Sequence, residues 1–153
     1  PSLLDELGLV PALKWHIKRP GERAGWETEY SAHNVNNHLP PEVSITCFRI
    51  VQEALTNVAR YAEATHVQVT IERQGDHLVL TIEDNGKGFD VEKAKSRART
   101  GISIGLLGME ERARLVGGEI RITSSPKTGT RVTASIPLVE LNPQLVASKE
   151  RIS

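Results

Sequence analysis

The sequence lacks most of the features that sort a chain quickly. It has one cysteine, Cys47, so no internal disulfide can form, and the composition fits a reducing compartment. It has no charge excess: 19 Lys and Arg face 19 Asp and Glu, which removes the electrostatic footprint of a nucleic-acid or anionic-membrane binder. No apolar run reaches the roughly 18 residues of a membrane-spanning helix, and no signal-peptide pattern is present. Repeats and low-complexity segments are absent. So is an initial methionine: the chain opens on Pro1, and the expectation is a fragment of something longer, whose own membrane topology these residues do not report. What remains is a length of 153 residues, enough for one domain with a real core.

The apolar pattern alternates between helical and strand periods. Residues 1–19 read as short helical pieces, with Pro11 at a helix start, and "RPGERAG" reads as loop. "WETEYSA" alternates, with Trp26, Thr28 and Tyr30 on one side of a strand. Pro40-Pro41 opens a long helix to about Ala62. "HVQVTIER" and "LVLTIED" form a hairpin about "QGDH". Residues 90–104, polar, basic and flanked by glycine, read as a mobile loop with one helical turn. "LLGMEERARLVGG" is a helix stopped by Gly117-Gly118, and "EIRITSS" with "TRVTASIPL" makes a second hairpin. Residues 139–153 read as a tail. The expected class is α+β: two layers, with helices on one face of a mixed, mostly antiparallel sheet.

Four local patterns carry chemistry. In "EDNGKGFD" the strand period puts Asp84 on the face of Leu78, Leu80 and Ile82, so its carboxylate points to the rim of the core. A buried carboxylate needs a partner. Gly86 and Gly88 allow a close backbone approach there, and a purine amino group suits both features; a hairpin-end turn with a structural aspartate is the bland alternative. On the long helix, Phe48, Val51, Val58, Ala59 and Ala62 cluster about Leu55, while Glu53, Asn57 and Arg60 lie opposite. Glu53 and Asn57 stack at i and i+4 and can share a hydrated magnesium ion, and Arg60 can meet phosphate; the alternative is a solvated polar face. Gly105 and Gly108 are expected directly before a helix, whose free N–H groups suit an anion, and otherwise only ease packing. Gly129-Thr130 is by itself a turn. Of the remaining reactive residues, His16 reads as helix surface. His33 and His38 lack the further ligands of a metal site, and Cys47 packs.

The order of these patterns, with "FRIVQEALTNVARYA", "LTIEDNGKGF", "GLLGMEERARLVGG" and "SSPKTGTRVTASIPL", resembles the ATP-binding catalytic domain of sensor histidine kinases. These belong to the GHKL (Bergerat-fold) superfamily, and the wording is most similar to the nitrate-sensor-like subfamily. The resemblance covers about residues 1–138. It implies a sandwich holding Mg-ATP under a flexible lid, with transfer of the γ-phosphoryl group to a histidine on an upstream dimerisation helix in two-component signalling. By position, Asn57 would coordinate magnesium. Glu53 would be the catalytic residue, orienting or deprotonating a magnesium-bound water or assisting the nucleophile. Asp84 would accept from the adenine amino group, with Gly86 and Gly88 letting the nucleotide lie close and Thr130 supporting the adenine end. Gly105, Leu106, Gly108 and Met109 would form the lid hinge and touch phosphates. Arg60 and Tyr61 would stand at the phosphates, with Lys95, Arg97 and Arg99 as candidate contacts from the lid.

The resemblance also implies residues 1–20 as a junction from the dimerisation helices, 21–138 as the ATP-binding domain and 139–153 as a tail. It implies a monomeric cytoplasmic piece, without nucleic acid or direct membrane contact, of a parent that partners a response regulator. Three positions depart from the family pattern: Tyr61 where histidine is common, Lys127 where glycine often follows the proline, and Ser103 where another glycine is common. Two alternatives remain: a degenerate nucleotide-binding regulatory module, which Tyr61 keeps open, and an anti-sigma-type serine kinase, which the junction sequence opposes.

Overall fold

The computed structural model describes residues 2–36, 38–96 and 101–138; the expected tail and the lid residues Arg97 and Arg99 lie outside them. Two helices open the chain, α1 (Ser2–Leu7) and α2 (Leu9–Ala24). Then come β1 (Glu27–His33), α3 (Pro41–Asn57), β2 (His66–Gln74), β3 (His77–Asp84), α4 (Val91–Ser96), α5 (Gly101–Leu115), β4 (Glu119–Ser125) and β5 (Gly129–Pro137). The strands form one sheet in the order β1-β2-β3-β5-β4. Only β1 and β2 run parallel, joined through α3; the other pairs are antiparallel, β2-β3 and β4-β5 as hairpins and β3-β5 across the crossover through α4, α5 and β4. The mixed two-layer α+β class expected from the pattern is the class observed.

The strand period decides which face is covered. Val67, Val69, Ile71, Leu78, Leu80, Ile82, Val132, Ala134 and Ile136 are buried, and their alternating neighbours are not. Against that face lie Leu13 and Ile17 of α2, Ile50, Val51 and Leu55 of α3, and Leu106 and Met109 of α5, all at most 2 % exposed. Burying such side chains contributes roughly 1.5–3 kcal/mol each, and this layer holds the sheet and helices in one body. The hydroxyl of Tyr30 donates to the Val10 carbonyl at 3.0 Å and ties β1 to α2; burial raises its pKa to about 12. Burial likewise pushes the Cys47 thiol to about 12, so it stays a protonated packing group.

Three expectations are corrected. "RPGERAG" is not a loop: α2 continues through Pro20 to Ala24, and Gly25 (φ 84°) stops it with its N–H on the Gly21 carbonyl at 2.8 Å. The reason is packing. Gly21 is buried against the Trp26 and Thr28 side chains, where a Cβ would collide, and this docking outweighs the hydrogen bond that Pro20 removes. Residue 20 therefore falls inside α2, not between elements. His16 is not simply on the helix surface: it is half-buried, its ring 5.1 Å from that of Phe48, and burial, then Arg19, lower its pKa. Finally, the long helix is not uniform. Its last turn, Val58–Ala62, is π-helical, which breaks the 100° step, and Ala59 is exposed instead of joining Leu55 in the core.

Candidate functional site

A cavity of about 210 Å³ opens where the end of α3, the end of β3 and the first half of α5 meet. Its floor is apolar, with Ile82 and Val132 from the sheet and Leu106 and Met109 from α5. One ionisable group is set into this floor. Asp84 is 7 % exposed and lies across β2 and β5 from Val67 and Thr130. Its Oδ1 accepts from the Gly86 N–H at 2.8 Å. Burial raises the pKa of this carboxyl; backbone hydrogen bonds from Gly86 and Thr130 oppose the rise, and Glu83 adds to it.

The loop after Asp84 is fastened on every side. The Lys87 N–H donates to the Ala62 carbonyl at 2.8 Å, and the Lys87 carbonyl accepts from the Lys127 N–H. The Phe89 N–H donates to Ser124 Oγ at 3.0 Å. The Asn85 side-chain oxygen accepts from the backbone of Thr65 and His66, each at 2.9 Å. These anchors account for the glycines. A Cβ at Gly86 would collide with the Ala62 carbonyl. At Gly88 (φ 65°) it would collide with the Ser125 carbonyl, and at Gly129 (φ 82°) with the carbonyl of Asp84 itself. The close approach read from the sequence is thus one of the chain to itself, and it fixes the frame around Asp84.

The π turn supplies the second wall. π-helical insertions recur at functional sites because they shift side chains from the helical register. Here Asn57, Val58, Arg60, Tyr61 and Ala62 all border the cavity. Glu53, one turn before Asn57, faces α5: a Cβ on Gly105 would meet Glu53 Oε1, with the Asn57 amide atoms at 3.2 and 3.3 Å. The expected i, i+4 pair therefore converges on one spot of α5. The lining of a neighbouring cleft, not of the cavity, includes Glu53.

The third wall corrects the sequence reading. Gly105 and Gly108 do not precede a helix; α5 starts at Gly101 and both glycines lie inside it. Their N–H groups belong to helix interior, so the free N–H groups of the start are those near Gly101. The apolar run of Ile102, Leu106, Met109 and Ala113, packed on the core, outweighs the cost of two glycines, about 1 kcal/mol each. The segment before it contains α4, whose Lys93 N–H is capped by Asp90 Oδ1 at 3.1 Å. Lys95, a candidate phosphate contact, is paired with Glu110 at 2.7 Å.

Of the predicted residues, Asn57, Arg60, Tyr61, Asp84, Gly88, Leu106, Met109 and Thr130 come together around one cavity. Gly86, Gly105 and Gly108 are not among its described lining residues. The sequence reading did not assign the other lining residues to the site: Ala54, Val58, Ala62, Ile82 and Val132, which belong to the packed faces, and Lys87, Phe89 and Ile102. Lys87 had a signal, since it is the one cation between the two glycines of "DNGKG". Phe89 and Ile102 had only their apolar character.

Residues 42–140 match the family described as histidine kinase-, DNA gyrase B- and HSP90-like ATPase. The chain is 40 % identical over 135 residues to the signal transduction histidine-protein kinase/phosphatase DegS of Brevibacillus brevis, covering 88 % of this chain and 34 % of that protein. It is 35 % identical over 141 residues to DegS of Bacillus subtilis (strain 168), covering 90 % and 36 %. The chain thus spans about a third of the length of these curated relatives. Among solved structures, the histidine kinase domain of the Erythrobacter litoralis EL346 blue-light activated kinase superposes with a TM-score of 0.68 at 23 % identity, covering 91 % of this chain and 64 % of that one. The Acinetobacter baumannii histidine kinase AdeS gives 0.65 at 16 %, covering 91 % and 74 %; at these identities the likeness concerns the fold. The chain belongs to the histidine kinase-, DNA gyrase B- and HSP90-like ATPase family, and is an ATP-binding catalytic domain of the sensor histidine kinase type.

Proposed function

We propose that the chain binds Mg-ATP in this cavity and transfers the γ-phosphoryl group to a histidine on a dimerisation helix outside residues 1–153. The observation that carries this reading is Asp84, a buried carboxylate whose Oδ1 accepts from the Gly86 N–H in an otherwise apolar floor. Such a group has acceptor capacity left for one flat, donor-bearing ring. The cavity, about 210 Å³, is below the roughly 300 Å³ at which whole-ligand sites begin. It suits the adenine, with Gly88 and Thr130 beside it and the phosphates running outward toward Asn57, Arg60, Tyr61 and Lys87.

Magnesium, when bound, would neutralise charge between the phosphates. The donor set fits it: the Asn57 amide oxygen and, through water, the Glu53 carboxylate are the hard oxygen ligands that this ion prefers alongside phosphate oxygens. Glu53 is the residue placed to assist the incoming imidazole. The imidazole nitrogen forms the new bond to the γ-phosphorus as the bond to the bridging oxygen breaks, and ADP leaves. Phosphoryl transfer asks the protein mainly for position and charge, which these side chains supply without covalent chemistry of their own.

In this reading α1 and the start of α2 are the junction behind the dimerisation helices. The partners are the phosphoacceptor segment and, downstream, a response regulator. The domain works on the cytoplasmic side, where ATP is; none of its described helices is long and apolar enough to cross a membrane. Calorimetric titration with a non-hydrolysable ATP analogue, with and without magnesium, tests the pocket: binding should depend on magnesium. The chain alone should hydrolyse ATP slowly and not label itself, while the longer kinase should yield acid-labile phosphohistidine. Absence of binding by the wild-type chain would reject the pocket, and an acid-stable label would redirect the reading to a serine kinase.

A further inference from the structure

Behind the nucleotide cavity lies a second, larger concavity of about 770 Å³, between α2 and α3 and reaching Arg112 of α5. Five arginines border it: Arg19, Arg23, Arg49, Arg60 and Arg112, against one carboxylate, Glu53. This concentration stands out in a chain whose formal charge is zero. Among the described residues none of the five makes an ion pair. Arg49 donates to Gln52 Oε1 at 3.0 Å, and Arg19 lies 3.9 Å over the ring of Trp15, which is itself 51 % exposed. Five like charges gathered about a single carboxylate repel one another, so the cleft is arranged for an anionic occupant.

We infer that this cleft docks an acidic face of the protein segment that brings the phosphoacceptor histidine, an inference that rests on the kinase reading above. Two observations select that occupant. The first is position: Arg60 borders both the cavity and the cleft, and Glu53 of the cleft and Asn57 of the cavity meet the same spot at Gly105. Whatever lies in the cleft therefore reaches the phosphate end of the nucleotide, where the acceptor alone must come; a response regulator takes its phosphoryl group from the histidine and has no need to enter here. The second is composition: an exposed tryptophan stacked on arginine, ringed by further guanidiniums, is the make-up of protein hot spots. A cleft of this charge steers an acidic partner and fixes its register.

The test uses Arg19→Glu/Arg23→Glu and the milder Arg19→Gln/Arg23→Gln, both on α2 and outside the nucleotide cavity. ATP-analogue binding is read on the chain, and histidine phosphorylation at saturating Mg-ATP is read in the full-length kinase. The expected result is unchanged nucleotide binding with about a tenfold slower phosphorylation for the charge reversal. The Gln pair should show a smaller loss. Wild-type phosphorylation should fall with added salt, and that dependence should weaken in both variants. Unchanged phosphorylation alongside normal nucleotide binding in either folded variant overturns the docking site. Saturable binding of inorganic tripolyphosphate to the cleft, with phosphorylation indifferent to the reversal, overturns it in favour of a small anion. Failure of the wild-type chain to bind nucleotide strikes the kinase reading instead, so the two failures are distinct.

Discussion

The two ends of the cavity use glycine in opposite ways. At the Asp84 end, Gly86, Gly88 and Gly129 are each pressed against backbone carbonyls, of Ala62, Ser125 and Asp84. No other residue fits there, and the loop is held from three directions. At the α5 end, Gly108 has no heavy atom within 4 Å of where a Cβ would stand. Its φ is outside the left-handed region, and it sits within a helix that would be more stable with alanine. The Asp84 end is a fixed frame around a carboxylate. The α5 end keeps, at Gly108, slack that the fold shown does not require, while Gly105 one turn earlier is packed against Glu53. In the reading proposed above, recognition of a rigid base and accommodation of a charged, reacting tail ask for that division.

The comparison breaks most easily at Gly88. Gly88→Ala combines a left-handed φ with a collision against the Ser125 carbonyl, and the end of β4 cannot yield without disturbing its hairpin with β5. It should lower unfolding stability by about 2–4 kcal/mol, read by urea denaturation, and should loosen the frame around Asp84. A stability within about 0.5 kcal/mol of wild type would mean the loop is not pinned as described.

Asp84→Asn keeps the shape and removes the acceptor-only charge. It should weaken binding of the ATP analogue by about 1.5–3 kcal/mol, the range for a hydrogen bond to a charged group, with magnesium dependence retained. The same variant reads the electrostatics of the floor. Burial raises the Asp84 pKa above the ordinary 3.8, so the ionised side chain costs the fold stability at neutral pH. That cost is relieved as pH falls through the raised value, because the folded state then takes up a proton before the unfolded state does. Denaturation of both proteins from pH 7 down to 4 should therefore show wild type gaining on Asp84→Asn as the pH drops. A gap that moves the other way would mean that the Gly86 and Thr130 hydrogen bonds outweigh burial.

How much of this was legible depended on whether a feature is local. Period two placed Asp84 on the buried face, and the hairpins followed from alternation and turn residues. Asn57 and Asp84 were found because each sits at a definite point of a regular element, Gly88 because its spacing after Asp84 allows close approach, while the role of Thr130 came only from resemblance. What escaped was set by tertiary packing. A proline argued for ending α2, yet Gly21 docking on Trp26 and Thr28 carries the helix past it. Two glycines argued for starting α5 late, yet Leu106, Met109 and Ala113 draw its start back to Gly101. A uniform helical wheel could not foresee the π turn, so Ala59 was assigned to the core and the lining role of Tyr61 came only from resemblance. The arginine cleft was invisible because its members come from three helices far apart in sequence.

The slack in α5 can be measured on its own. Gly108→Ala adds a methyl group into open space and removes a glycine from a helix interior, so it should stabilise the fold by about 0.5–1 kcal/mol. Gly105→Ala makes the same gain in propensity but sets its Cβ against Glu53 Oε1 and close to the Asn57 amide. Glu53 is half-buried, and its carboxylate must swing away from Asn57 to make room. The two effects oppose, and Gly105→Ala should come out less stable than Gly108→Ala by about 1 kcal/mol. Urea denaturation of the pair in parallel reads the difference directly. Equal gains would place Glu53 free of α5 and remove the convergence of Glu53 and Asn57 on that helix. A loss of stability in Gly108→Ala would show that its surroundings are closed, and the contrast between the pinned end and the slack end would go with it.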